Sequence, residues 1–123
     1  MPASYELDLE NRLVRPRGWG ILTDAEVRDL YERLQVDPGF DPSFQQLCDL
    51  REVTDLRTTA DALRALARRQ TFALGVRRAF VVGREVDYGL SRLFQAYAEP
   101  QGAVIEVFRE WEAAEEWLGM RVQ

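Results

Sequence analysis

No stretch limits the fold of this chain more than Cys48 to Arg69, CDLREVTDLRTTADALRALARR. Leu47, Cys48 and Leu50 make an apolar strand, and a loop of Asp, Arg, Glu and Thr follows. Leu63, Leu66 and Ala67 then recur at i, i+3 and i+4, one helical face. Thr58 precedes Asp61 by three residues, a capping-box spacing. The spacing predicts a helix opened by the Thr58 hydroxyl, with Asp61 complementing its dipole. Strand, loop and helix N-terminus form the junction at which open α/β sheets bind ligands, because free N–H groups point into the crevice.

The flanking sequence repeats that alternation. Tyr5, Leu7 and Leu9 alternate with Glu6 and Asp8, the period of a strand with one wet face. Glu10-Asn11 reads as a turn, Leu13 to Arg17 as the returning strand, and Gly18-Trp19-Gly20 as a loop. Thr23-Asp24-Ala25-Glu26 is a capping box that opens a helix with Val27, Leu30 and Leu34 on its buried stripe and Tyr31 beside it. Pro38, Gly39 and Pro42 stop that helix, and Phe40 is expected to plug the core edge. Phe44 to Leu50 is the central strand, and the helix after it is expected to run to Phe72-Ala73-Leu74 before Gly75. Ala79-Phe80-Val81-Val82 suits a strand buried on both faces. Gly83-Arg84-Glu85 leads into a helix marked by Val86, Leu90, Leu93, Phe94 and Tyr97 and ending near Pro100. Val104 to Phe108 is the last strand. Trp111, Ala114, Trp117 and Leu118 line the last helix, with Gly119 at its C′ position. The order β-β-α-β-α-β-α-β-α predicts one α/β domain over residues 1–123, a five-stranded mixed sheet carrying about four helices.

Two absences narrow the chemistry. There is no histidine, and all 16 basic residues are arginine. That removes imidazole-based triads and metal sites, the P-loop lysine and lysine Schiff bases. No pair of carboxylates has catalytic spacing, so no catalytic residue, metal ligand or cofactor is assigned. Cys48, the single cysteine, is expected to be a small buried hydrophobe. The net charge of −5 argues against nucleic-acid binding. Arginine is nonetheless concentrated between Arg57 and Arg92, where an anionic group or acidic partner could bind. No apolar run reaches the ~20 residues of a membrane span, and the acidic N-terminus does not read as a signal peptide. A cytoplasmic protein is expected.

The segments Cys48-Asp49-Leu50-Arg51-Glu52-Val53-Thr54, Asp87-Tyr88-Gly89-Leu90-Ser91-Arg92, Val107-Phe108-Arg109 and Trp117-Leu118-Gly119 resemble the SpoIIAA-like family. That family lies within the STAS group of bacterial anti-sigma-factor antagonists and transporter-appended domains. The likeness is strongest to the STAS/Sec14-like subfamily, most of whose members have no established function. Antagonists of this group carry Asp-Ser-Ser-Gly at the start of the helix after the central strand, with the second serine phosphorylated. The motif falls here on Arg57-Thr58-Thr59-Ala60. Thr59 keeps the acceptor hydroxyl, Arg57 reverses the charge of the Asp, and Ala60 replaces the Gly.

Two functions follow as expectations. The resemblance implies a non-enzymatic regulatory or protein-interaction module, with Thr59 or Thr58 as its switch and an unknown protein partner. Its Sec14-like side implies a carrier of a small apolar or anionic ligand. Arg57, Arg84, Tyr88 and Arg92 would then hold the ligand at the crevice, and Phe40, Phe72, Phe80, Tyr88, Phe94 and Trp111 could line a pocket. A homodimer through the last helix or the hairpin edge is a further expectation.

Overall fold

The computed structural model describes residues 2–120. Ala3–Asp8 (β1) and Leu13–Thr23 (β2) form an antiparallel hairpin. Asp24–Gln35 (α1) leads to Gln45–Arg57 (β3), and Ala60–Ala67 (α2) to Arg77–Val82 (β4). Glu85–Ala98 (α3), a 3-10 turn over Glu99–Gln101, Val104–Phe108 (β5) and Trp111–Trp117 (α4) complete the chain. The sheet order is β1-β2-β3-β4-β5, with β2 to β5 parallel. This is the expected five-stranded mixed sheet with four helices.

Neighbouring strands in chain order, joined by crossovers of one hand, put α1, α2 and α3 on the same face. That face carries two apolar clusters. Leu30, Tyr31 and Leu34 of α1 pack with Val14, Leu22 and Val53, while Leu63 and Ala67 of α2 pack with Cys48, Phe80, Phe94 and Ile105. Leu50 and Leu66 touch both. The other face is covered by α4, whose Ala114 meets Leu47, Ala79 and Val81, joined by Leu118 and Leu13. Period-two alternation thus sends Cys48 and Phe80 to one face and Leu47, Ala79 and Val81 to the other.

Several local expectations need correction. Gly18-Trp19-Gly20 is not a loop: β2 runs through it, irregular at Arg17/Trp19 and Gly20/Ile21. Gly20 takes φ +61, and a Cβ on Gly18 would lie 2.9 Å from Leu22, so both glycines shape a strand rather than end it. The segment after Leu50 is also strand, paired with β2 as far as Arg57. The cap of α2 is Thr59, whose hydroxyl accepts from the Ala62 N–H at 3.1 Å, and not Thr58. α2 stops at Ala67, well short of Leu74, and Phe72 lies in the loop beyond. Val86 is 58% exposed and belongs to the wet face of α3.

Other local readings hold. Glu26 accepts from the Thr23 N–H at 3.0 Å and from its hydroxyl at 2.7 Å, the expected box at α1. Phe40 packs edge-on against Phe44 and Phe72 at the core margin. Gly119 takes φ +79, with its N–H bonded to Glu116 and that of Met120 to Glu115, the Schellman pattern.

Candidate functional site

The junction at the carboxyl ends of β3 and β4 is built largely from internal pairs. Arg84 precedes α3 by one residue and grips Asp87, fully buried in the first turn, through Nε and Nη2 at 2.9 Å each. A carboxylate taken out of water needs such a fork. A third donor of Arg84 goes to the Thr54 carbonyl, tying β3 to α3 beyond the last β3–β4 pair. Arg57 pairs with Asp55 at 2.8 Å. Tyr88 lies under the Arg109 guanidinium, 3.8 Å from the ring centre, and its hydroxyl receives an Arg92 N–H at 3.4 Å. Arg109 is itself paired with Glu85, whose carboxyl it holds below the usual glutamate range. All four residues expected to hold a ligand, Arg57, Arg84, Tyr88 and Arg92, already have protein partners.

The open space lies elsewhere. A cavity of about 210 Å³ occupies the seam between the α1 cluster and the α2–α3 cluster. Its walls include Leu22 and Leu30 on one side and Leu63, Phe80 and Phe94 on the other, with Leu50 at the seam. The seam stays open because α2 packs chiefly on α3, and small side chains (Cys48, Ala62 and Ala65) line it. Asp24 and Arg28 of α1, Leu56 of β3 and Thr58 just after that strand line its other margin, where β2 and β3 end. That is the carboxyl end of parallel strands, the usual ligand end of such sheets.

Polar groups on this lining are few. The Thr58 hydroxyl is buried and has no hydrogen-bond partner among the described residues. Cys48 is buried, and loss of water pushes its thiol up to about 12, so it forms an apolar wall and reacts only slowly as a nucleophile. Phe80 and Phe94 are the two aromatics of the expected pocket that line this cavity. Phe40 and Phe72 belong to an aromatic cluster with Phe44 and Tyr31, and Trp111 lies under Arg51.

Sequence reasoning missed Leu30 and Leu63 as site residues because each fits an ordinary buried stripe, and Leu22 because the sequence pattern ends the second strand at Arg17. It also missed the Arg84–Asp87 pair, although the i, i+3 spacing carried that signal. Among the described residues, no helix is long and apolar enough to cross a membrane.

No family model matches the chain, and no curated protein matches it. Among solved structures it is similar to an uncharacterised protein of the DUF3478 family, with a SpoIIAA-like fold, from Shewanella loihica PV-4. The TM-score is 0.61 at 18% identity, over 94% of this chain and 91% of that chain. Identity that low establishes the fold: the chain has a SpoIIAA-like α/β architecture.

Proposed function

We propose that this SpoIIAA-like domain is a non-enzymatic binding module that takes a small apolar ligand into the seam between α1 and α2. One observation carries the reading, the apolar-walled cavity of about 210 Å³ at the carboxyl end of the parallel strands. It exceeds the ~150 Å³ apolar cavity that admits benzene. Side chains facing such a space lack partner atoms on one side, and a ligand supplies those contacts. Cys48 makes the test direct, since it is the single cysteine and lines the cavity. Native mass spectrometry of protein from its own host should show an added mass that disappears on denaturation. An uncharged thiol reagent should label Cys48 more slowly while that mass is present. A bare chain whose labelling no apolar compound slows would sink the reading.

A second reading is favoured by a separate observation. Thr59 is exposed at the N-terminus of α2, two residues from Arg57. A phosphate there would meet the positive end of the helix and a guanidinium, and would switch a protein-binding surface. Thr58 faces the cavity with its hydroxyl buried, which makes it the poorer acceptor. Comparing wild type, Thr59→Glu and Thr59→Ala in partner capture tests this, and identical partner sets for all three count against it.

A further inference from the structure

Beside the cavity lies a small niche lined by Tyr31, Leu66, Arg69, Thr71 and Arg78. It shares Tyr31, Leu66 and Arg69 with the cavity lining, so the two adjoin. Its polarity is not balanced from within. Arg78 points to the helical face of β4, where it contacts Phe72 at 4.5 Å and lies within 6.0 Å of Phe94, Phe80 and Tyr31. Its Nε donates to Gln46 at 2.8 Å, and Gln46 donates to the Tyr31 hydroxyl at 2.7 Å. No carboxylate of the described residues comes within 4.0 Å of Arg78. Thr71 is 4% exposed, yet its hydroxyl has no partner among the described residues. A niche that two arginines line together with a buried, unsatisfied hydroxyl is an arrangement an anion completes.

We infer, resting on the cavity reading above, that this niche takes the ionised acid head of a ligand whose apolar tail lies in the cavity. The ligand class is then a single-chain carboxylate amphiphile. The niche has no water-sized space as it stands. Arg69 lines it, held by Gln35 at 3.0 Å and Glu32 at 3.5 Å, and its side chain is 25% exposed. These are weak surface contacts that a carboxylate can replace. A carboxylate is also planar, matches a guanidinium fork and is the smallest organic acid head.

The test compares octanoate, octanol and acetate by calorimetry at pH 7.5 on the full chain, with Thr71→Val and Arg69→Gln as variants. Arg78 is left intact because it holds Gln46 in the core. Octanoate should bind at least tenfold more tightly than octanol, and acetate far more weakly than either. Each variant should cut the preference for octanoate over octanol severalfold. Equal binding of octanoate and octanol would overturn the head-group inference and leave the cavity reading standing. Acetate as tight as octanoate would overturn the amphiphile class. Binding of neither eight-carbon ligand would overturn both readings.

Discussion

Replacing Cys48 by leucine tests the seam through the sign of one free energy. Cys48 is 6% exposed, and its side chain lines the cavity beside Leu63, Phe80 and Phe94. Leucine carries two more heavy atoms than cysteine. Burying them should gain roughly 1.6 kcal/mol, at about 0.8 kcal/mol per CH₂. Immobilising a leucine side chain offsets roughly 0.5–1 kcal/mol of that. The expected outcome is a protein more stable by about 0.5–1 kcal/mol. In a fully packed core the same enlargement would cost roughly 1–3 kcal/mol. The two cases therefore differ by at least about 1.5 kcal/mol. Urea unfolding reads this as a shift in midpoint at constant m. Because the new atoms occupy ligand space, octanol uptake should fall at least tenfold in the same variant. Destabilisation of about 1 kcal/mol or more, with octanol uptake unchanged, would refute the reasoning: the space beside Cys48 would be filled already.

Arg84→Met should destabilise the fold, because the fully buried Asp87 carboxylate loses its fork, and by less than breaking a fully buried pair because Arg84 is 37% exposed and partly screened by water. Adding Asp87→Asn should recover much of that loss in a double-mutant cycle, and simple additivity would show that the fork does not matter. Gly83→Ala would place a Cβ 2.7 Å from the Arg51 carbonyl oxygen, a backbone atom, and should cost about 1–3 kcal/mol in the same assay; a neutral result would mean that the β4–α3 turn relaxes freely. Alkaline stability should fall from pH 9 towards pH 12. The unfolded thiol of Cys48 ionises near 9.0 and the folded one near 12, so the unfolded state holds fewer protons across that window. Tyr5, raised to about 12 by burial and by its bond to Asp37, adds to the decline above pH 10. Cys48→Ala should flatten the part between pH 9 and 10, and an unchanged slope there would exclude the thiol as its source.

The sheet was legible because strand-length apolar runs and helical stripes alternate, and each signal is local. Ala79–Val82 reads as a doubly covered strand from four letters, and Thr23 with Glu26 reads as a helix start from four more. The misreadings came where pairing overrides local signals. Gly18 and Gly20 carry loop chemistry, but β3 offers β2 a partner there, and pairing continues across the irregularity to Thr23. The charged residues after Leu50 stay in strand for the same reason, with Val53 buried and Thr54 exposed on alternate sides. Thr58 fits a cap by its spacing to Asp61 and Thr59 only by residue type, and the course of β3 to Arg57 decides for Thr59. The cavity had no local signature at all. It exists because two clusters on one sheet face fail to close, and no single stripe of α1 or α2 records that.

The two functional readings meet at α2. The helix is eight residues long, Thr59 caps it, Leu63 and Leu66 wall the cavity, and Arg69 beyond its end lines the proposed head-group niche. Any ligand that enters between α1 and α2 must press on this helix, because the opposite wall is the sheet. The ties from its C-terminal end towards α1 are the Arg69 contacts to Gln35 and Glu32, which an acid head would exchange for its own oxygens. Filling the cavity and releasing Arg69 would then act together on the position of α2, and so on the exposure of the Thr59 cap. A modification at Thr59 and a ligand in the seam are in this arrangement two inputs to one short element. A ligand in the seam and a partner bound at the Thr59 surface would each change the affinity for the other by the same factor, since coupling between binding free energies is reciprocal.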